Sequence, residues 1–271
     1  MKFTESQIQR LRELGEDNYD SDFETPEERE KAFVTVFNDL TSKNDKQIYE
    51  LISEPKRHSL SRLEADLADL LTKNGFIEVK TPLIISKNAL EKMTITKDSQ
   101  LYRQVFMIDE KRCLRPMLAP NLYFVMRKLR DRTSGPVRIF EIGSCFRKES
   151  RSNNHLEEFT MLNLVELGPE GDPTERLKEL ISKVMDVTQL EYKMTEECSE
   201  VYKTTLDVEV NGTETASGAV GPHILDEAHD IHEPWCGAGF GVERLLMQMS
   251  GKSNIKKMGK SLVYLNGTKI D

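Results

Sequence analysis

The sequence predicts an α+β fold: a mainly antiparallel β-sheet flanked by helices and preceded by a helical arm. Helix-like and strand-like segments follow one another without the regular alternation of a βαβ fold. Asn211-Gly212, after an alternating apolar stretch, indicates a tight hairpin and hence antiparallel pairing. Within the first 55 positions, apolar residues recur at helical spacing over residues 5–15 and 26–52. A chain of 271 residues can bury one large core and a small appended element.

Three helices are predicted before the first strand. Apolar spacing places the first two over residues 5–15 and 26–52, and the third runs from Leu60 until Asn74-Gly75 ends it. We therefore divide the chain into a helical N-terminal arm, residues 1–55, and a main domain, residues 56–271.

The main domain begins with a β-rich run over residues 76–85. Pro82 interrupts this run, and because proline cannot donate to a ladder, it bends the strand or places it at an edge. Such a strand often lies at an interface. The remaining predicted elements are strands at 105–108, 137–143, 159–167 and 206–210, and helices at 120–131 and 174–187.

Charge and composition restrict the functional classes. A net charge of −8 argues against nucleic acid as a partner, but the acidic residues crowd into the first 50 positions, so local basic patches leave an RNA partner open. The two basic clusters are Arg127, Lys128, Arg130, Arg132 and Arg138, and Lys252, Lys256, Lys257 and Lys260.

The four cysteines form no Cys-x-x-Cys pair, so neither a zinc ribbon nor a disulfide framework is indicated. His229 and His232 could share a helical face, but Pro234 breaks the helix and no third zinc ligand is evident. No stretch has the apolar length of a membrane span or a signal peptide. We expect a cytoplasmic protein without a membrane partner.

A glycine-rich strand that turns directly into a helix is the most informative segment. It runs from Gly237 to Leu246 and carries Arg244 near the start of the helix. Glycines let a flat ligand or a phosphate approach the backbone, and a guanidinium adds to the positive potential of a helix N-terminus. This pattern predicts a site for a phosphate and a base, although such junctions also serve packing alone.

A second polar constellation lies between two predicted strands, from Cys145 to Phe159. Arg147 could hold a phosphate in a bidentate manner, Glu149 could accept from the amine of a base, and Phe159 could supply a stacking face. An isolated Arg-x-Glu is more often the solvated tip of a hairpin. The functional interpretation therefore requires agreement with other motifs.

Three motifs occur together in a family-specific order. Residues 74–82 (NGFIEVKTP), residues 146–149 (FRKE) with Phe159, and residues 239–244 (GFGVER) resemble the three motifs of the class II aminoacyl-tRNA synthetases. Within that class, residues 114–123 (LRPMLAPNLY), 161–165 (MLNLV) and 232–235 (HEPW) resemble the pyrrolysyl-tRNA synthetase family. The resemblance runs from about residue 5 to the end of the sequence. It implies the class II catalytic domain in its short form, without a separate N-terminal tRNA-binding domain.

For ATP, the resemblance implies that Arg147 and Arg244 are catalytic and hold the α- and γ-phosphates. Phe159 would stack on adenine, with Arg244 near its other face, and Glu149 would contact the adenine edge. His155 would meet the pyrophosphate end. Glu214 and Ser217 match the family's magnesium-binding positions, and hard oxygen ligands suit Mg²⁺.

For the amino acid, the resemblance implies a deep apolar pocket. Asn163 would bond the amide carbonyl of pyrrolysine, and Tyr202 would cap the pocket from a mobile loop. Val165 replaces the cysteine of longer relatives, which leaves the side-chain preference open. The remaining lining residues would be Leu118, Leu122, Tyr123, Met126, Ala219 and Trp235.

The resemblance thus implies an ATP-dependent pyrrolysine–tRNA ligase. Its partners would be pyrrolysine or related bulky lysine derivatives, tRNA(Pyl), and a second copy of the chain bound through the strand at Pro82. The basic clusters and the N-terminal arm would carry the tRNA contacts. Two alternatives stay open: a class II synthetase-like ligase for another bulky amino acid, and a non-catalytic tRNA-binding paralogue.

Overall fold

The structure is a computed structural model that describes residues 1–15, 19, 21–148, 155–197, 202 and 205–271. Two helices form the N-terminal arm, α1 (Glu5–Leu14) and α2 (Pro26–Ser53), which confirms both predictions. Each begins with a capping box, in which a threonine hydroxyl and a Gln or Glu side chain satisfy the free N–H groups. Their apolar faces meet in a small core of their own around Phe3, Leu11 and Phe33.

The arm is fastened to the C-terminal segment by buried polar contacts. The Asn44 side chain donates to the backbone oxygen of Lys269 at 2.8 Å and accepts from its N–H at 3.0 Å. The Lys257 ammonium donates to the carbonyl oxygens of Arg12 and Gly15 at 2.8 and 2.9 Å. A boundary at residue 55 stays a prediction.

The main domain is built on a mainly antiparallel sheet, as predicted. Within the described residues it has seven strands in the order β1-β4-β5-β9-β8-β7-β6, and only the β1–β4 pair is parallel. The strands are β1 (Ile77–Glu78), β4 (Val137–Phe146), β5 (Glu158–Leu167), β6 (Lys193–Glu197), β7 (Thr205–Val210), β8 (Thr213–Gly221) and β9 (Trp235–Gly241). Asn211 and Gly212 have positive φ angles of 49° and 75° and form the β7–β8 hairpin turn.

The two faces of the sheet carry different layers because side chains alternate along a strand. Leu162 and Leu164 of β5 face a core shared with three helices, while Val165 faces the other side. The helices of the first layer are α3 (Ser59–Lys73), α7 (Pro173–Thr188) and α8 (Val242–Met249). The second layer holds α4 (Lys87–Glu91), α5 (Gln100–Gln104) and α6 (Ala119–Arg130).

Two strand predictions need correction. The run over residues 76–85 begins with β1 at the edge of the sheet, as one of the two alternatives predicted. It is not one bent strand, because Thr81 lies outside the ladder and bonds the buried Glu141 carboxylate through its N–H and hydroxyl. The run therefore ends in a separate strand, β2 (Ile84–Ser86), which pairs with β3 (Arg112–Leu114). The stretch 105–108 forms only one isolated bridge, Met107 to Cys113, because Val105 already caps the preceding helix α5.

No helix in the described part of the chain is long and apolar enough to cross a membrane. The short strands β10 (Tyr264–Leu265) and β11 (Thr268–Lys269) form a hairpin near the C-terminus.

Candidate active site

A cavity of about 320 Å³ opens on the face of the sheet opposite α3, α7 and α8. Strand register assembles its floor: Asn163 of β5 lies beside Gly239 of β9, which lies beside Ser217 of β8. In the next row, Val165, Gly237 and Ala219 are paired in the same way. The predicted residues that line this cavity are Leu122, Tyr123, Met126, Arg147, His155, Phe159, Asn163, Val165, Tyr202, Glu214, Ser217, Ala219, Trp235 and Arg244.

Two predicted site residues are not seen at the cavity surface. Leu118 is fully buried in the core beneath the α6 layer and is not among the lining residues. Glu149 lies outside the described residues, so its predicted contact with adenine stays a prediction.

Two glycines of β9, Gly237 and Gly239, leave little or no room for a side chain at the floor of the cavity. A Cβ atom at Gly239 would lie 3.1 Å from Oδ1 of Asn163, and one at Gly237 would lie 2.9 Å from the carbonyl oxygen of Leu164. The bare backbone therefore lets a ligand approach the sheet closely. This geometry supports the ligand-binding interpretation of the glycine-rich segment.

Two guanidinium groups stand at the polar end of the cavity. Arg147, at the end of β4, lies over the Phe159 ring at 5.3 Å from its centroid, and its Nε donates to the carbonyl oxygen of Pro116 at 2.9 Å. Arg244, in the first turn of α8, donates from Nη1 to the backbone oxygen of Glu214 at 3.0 Å. The sequence-separated motifs thus meet at one end of a single cavity.

Glu214 and Ser217, the two residues predicted to bind magnesium, line the cavity together with Arg244. Ser217 donates its hydroxyl proton to Asp207 at 2.6 Å, and register places Asp207 beside Ser217 across the sheet. Burial raises the pKa of Glu214, as does the carboxylate of Asp207, while Arg244 and Arg147 lower it. Asp207 was missed at the sequence level because an alternating β-strand carries many such carboxylates.

Magnesium fits this donor set. Among the described residues no cluster of three or more His, Cys, Asp or Glu side chains could hold a metal ion by itself. Mg²⁺ commonly binds through one or two protein oxygens and takes its other ligands from water and substrate phosphates. The two oxygens of Glu214 and Ser217 match the one or two protein ligands that such an ion needs.

The other end of the cavity is apolar and aromatic. Trp235 and Tyr123 meet edge to face with centroids 6.1 Å apart, and Tyr202 packs against Trp235 at 6.0 Å. The Asn163 amide lies over Gly239 and makes no hydrogen bond within the described part of the chain. The amide is accessible from the cavity and is therefore available to hydrogen-bond a polar group of a ligand.

Glu243 beneath the cavity escaped the sequence interpretation, because a glutamate in the first turn of a helix usually faces solvent. It is 2% exposed, and both of its carboxylate oxygens accept from the Thr160 N–H, at 2.9 and 2.8 Å. Burial raises its pKa to about 7, against a smaller lowering by the Thr160 hydrogen bond. The side chain joins α8 to β5 directly below the arginines.

We expect Glu243 to make the stability of the protein depend on pH. Between pH 4.5 and about 7 the native state keeps a proton that the unfolded chain has released, so the free energy of unfolding falls as pH rises. A Glu243→Gln variant keeps an acceptor for Thr160 but cannot titrate. Urea unfolding across this window should show the wild type losing about 3 kcal/mol relative to the variant. Parallel pH curves for the two proteins would contradict this assignment.

Most of the arginines of the first basic cluster are engaged in ion pairs. Arg127 pairs with Asp230 at 3.0 Å, Arg130 with Glu233 at 2.9 Å, and Arg138 with Glu166 at 2.9 Å. In the second cluster Lys257 is buried. Lys260 pairs with Glu158. Lys128, Arg132 and Lys256 are exposed and Lys252 is half-buried, and none of the four forms an ion pair with another described residue.

His229 and His232, the two histidines considered as zinc ligands, lie in different surroundings. His229 stacks on the Tyr123 ring at 4.2 Å, and burial lowers its pKa. His232 contacts the Asp230 carboxylate at 3.3 Å on the surface. The two imidazoles therefore serve different contacts, one in the core and one at the surface.

The sequence matches the family of tRNA synthetases class II core domain (F) over residues 43–266. Two solved structures cover nearly the whole chain. A crystal structure of pyrrolysyl-tRNA synthetase from Desulfitobacterium hafniense shares 44% identity at a TM-score of 0.92, covering 100% of this chain and 98% of that one. A structure of PylSc, a pyrrolysyl-tRNA synthetase of the same organism, shares 43% identity at a TM-score of 0.91, covering 99% and 98%.

Curated relatives match over shorter segments. The lysine–tRNA ligase of Ectopseudomonas mendocina is 31% identical over 52% of this chain, and the threonine–tRNA ligase of Wolbachia pipientis is 28% identical over 49%. These matches span only 28% and 22% of the relatives' own lengths. With a family match over most of its length and near-complete superposition on two solved relatives, the chain belongs to the class II aminoacyl-tRNA synthetases, within the pyrrolysyl-tRNA synthetase family.

Proposed function

We propose that the protein activates pyrrolysine, or a similar bulky lysine derivative, with ATP and transfers it to tRNA(Pyl). The observation that carries this proposal is the division of one cavity into two ends. Arg147 and Arg244 stand at one end, while the unpaired Asn163 amide lies among apolar side chains at the other. A nucleotide and a long amide-bearing amino acid match these two ends.

Amino-acid activation requires the carboxylate of one substrate to attack the α-phosphate of the other. Charge develops on phosphoryl oxygens during this step, and guanidinium groups held beforehand in position stabilise it without reorganisation. Arg147 would contact the α-phosphate and Arg244 the γ-phosphate, with His155 near the pyrophosphate. The ring of Phe159 would receive adenine, and Glu149 would accept from its amine.

Mg²⁺ would be held by Glu214 and Ser217 together with the phosphates of ATP. When bound, it supplies positive charge that neutralises the pyrophosphate leaving group. Asp207 accepts the Ser217 hydroxyl proton and so leaves the oxygen lone pairs of Ser217 free, where they would be available to the ion. This contact gives Asp207 the role of orienting a ligand.

The apolar end would select the amino acid by size and by one hydrogen bond. A short natural amino acid would leave the space between Met126 and Trp235 unfilled and the Asn163 amide unpaired. A site built to hydrogen-bond a substrate group discriminates strongly against substrates that lack it. An amide-bearing lysine derivative satisfies both requirements.

A homodimer is part of the proposal. Exposed apolar side chains lie on the edge strand β1, on β2 and the segments beside it, and on α6, where Asn121 bonds the Pro82 carbonyl. The exposed set is Ile77, Leu83, Ile84, Ile108 and Phe124. Apolar exposure on this scale is typical of protein interfaces. Light scattering should report a dimer, and a monomer at working concentration would contradict the assignment.

The tRNA would bind along the N-terminal arm, residues 1–55, and the exposed members of the basic clusters. Lys128, Arg132 and Lys256 carry the charge for this contact, so binding should weaken as salt rises. A reaction that uses ATP and tRNA is consistent with a cytoplasmic location.

ATP–pyrophosphate exchange with a panel of amino acids tests the proposed activity. Exchange should depend on pyrrolysine or an Nε-acylated lysine, and lysine and phenylalanine should support little. Exchange with another bulky amino acid alone would favour the alternative ligase, because the resemblance leaves the pocket's preference open at Val165. Tight tRNA binding without any exchange would favour the non-catalytic paralogue.

A further inference from the structure

One buried carboxylate holds two aromatic walls of the cavity. Asp226 is 1% exposed and begins a short 3-10 helix, Asp226–His229, in the connection between β8 and β9. Its Oδ1 accepts from the Tyr123 hydroxyl at 2.7 Å, and its Oδ2 accepts from the indole Nε1 of Trp235 at 2.7 Å. Oδ2 also accepts from the backbone N–H of His223 at 2.6 Å. All three contacts suit an ionised carboxylate, which only accepts.

The hydrogen bonds continue to the residue that caps the pocket. Tyr123 gives its one hydroxyl proton to Asp226, so its bond with the Tyr202 hydroxyl leaves Tyr202 as the donor. The Tyr202 ring also packs edge-on against Trp235. The direction of this chain of bonds, from Tyr202 through Tyr123, is thus fixed by the carboxylate.

We propose that Asp226 is a positioning residue that sets the amino-acid selectivity of the site. It binds the polar atoms of Tyr123 and Trp235 and so holds them away from the cavity, which leaves the apolar ring surfaces facing the cavity. His229 stacked on Tyr123 restricts the same ring from another side. The identity of the ligand in this inference rests on the proposed function. The geometry of the aromatic walls is independent of that function.

An Asp226→Asn variant isolates the effect of the carboxylate. Asparagine keeps the shape, and its oxygen can still accept from Trp235 or the His223 N–H. Its amide nitrogen donates, however, so Tyr123 must accept instead and its own proton turns toward Tyr202. Asp230→Asn is the matched control, because Asp230 is exposed in the same connection and asparagine tolerates its positive φ of 58°.

Tryptophan fluorescence reports on this contact without any substrate. Trp235 is the single tryptophan of the chain. Excitation moves electron density of the indole away from Nε1, so a carboxylate at Nε1 lowers the excited-state energy. Emission of Asp226→Asn should therefore shift to shorter wavelength than that of the wild type, while Asp230→Asn should match the wild type.

Steady-state pyrophosphate exchange tests the role in selectivity, with an Nε-acylated lysine as the probe. For Asp226→Asn we expect the KM of the amino acid to rise about tenfold, with the KM of ATP unchanged. In a double-mutant cycle with Tyr123→Phe, the two effects should be strongly non-additive, because both act on the Tyr123–Asp226 contact: one variant reverses its direction and the other removes it.

The outcomes separate this proposal from the proposed function. An unchanged emission spectrum, additive effects, or equal rises in the KM of both substrates would overturn the role of Asp226. A wild type that exchanges with no amide-bearing lysine derivative, together with the expected spectral shift, would instead overturn the proposed substrate while leaving the aromatic walls dependent on Asp226. If Asp226→Asn does not fold, Tyr123→Phe alone carries the test, because it breaks the same contact; an amino-acid KM equal to that of the wild type would then overturn the role of Asp226.

Discussion

Replacement of Arg244 by alanine is expected to lower amino-acid-dependent pyrophosphate exchange by about 10²–10³-fold. The Arg244 guanidinium is already held by the Glu214 backbone oxygen, in the first turn of α8 after Gly241. The guanidinium can therefore stabilise the charge on a phosphate without losing conformational entropy when the substrate binds. Exchange measured at saturating ATP and amino acid should show the loss in kcat.

Two further variants sharpen this prediction. Arg244→Lys keeps the charge but loses the planar fork, so its exchange rate should fall between those of the wild type and Arg244→Ala. Arg62→Ala removes an exposed guanidinium from α3 and should match the wild type. Full exchange activity in Arg244→Ala would refute the proposed activation mechanism.

Replacement of Arg115 by alanine should lower the free energy of unfolding by about 3–5 kcal/mol. Arg115 and Glu141 form a buried ion pair, with side chains 2% and 1% exposed and Nη1 2.7 Å from Oε1. Arg115 also donates to the Thr81 hydroxyl at 2.9 Å and to the Ser144 carbonyl oxygen at 2.8 Å. Alanine would leave the Glu141 charge buried without its partner.

Urea unfolding measures this loss. An Arg112→Ala variant is the matched control, because its pair with Asp109 is exposed and should contribute less than about 1 kcal/mol. A double variant, Arg115→Met with Glu141→Gln, should recover part of the loss because no charge stays buried alone. Equal stability of Arg115→Ala and Arg112→Ala would show that the pair contributes little.

Regular local patterns made much of the fold predictable from the sequence. Apolar spacing predicted the helices of the arm, and Asn211-Gly212 predicted the β7–β8 hairpin. The predicted strand at residues 105–108 was wrong because tertiary contacts outweigh β-propensity, and Val105 instead ends helix α5.

The site was predictable where a motif places a special residue type on a special element. Glycines of β9 and Arg244 belong to such a motif, and strand register then brings Asn163 beside Gly239. Asp226 and Glu243 could not be found in this way, because an acidic residue in a polar turn or in the first turn of a helix usually faces solvent. Only long-range packing turns these carboxylates inward and provides their donors.

The most direct test of the account is a crystal structure of the protein with ATP and an Nε-acylated lysine bound together. We predict that adenine stacks on Phe159, that Arg147 and Arg244 contact the phosphates, and that the Asn163 amide donates to the acyl carbonyl. Electron density for the nucleotide outside this cavity, or for the amino-acid side chain away from Asn163, would contradict the account.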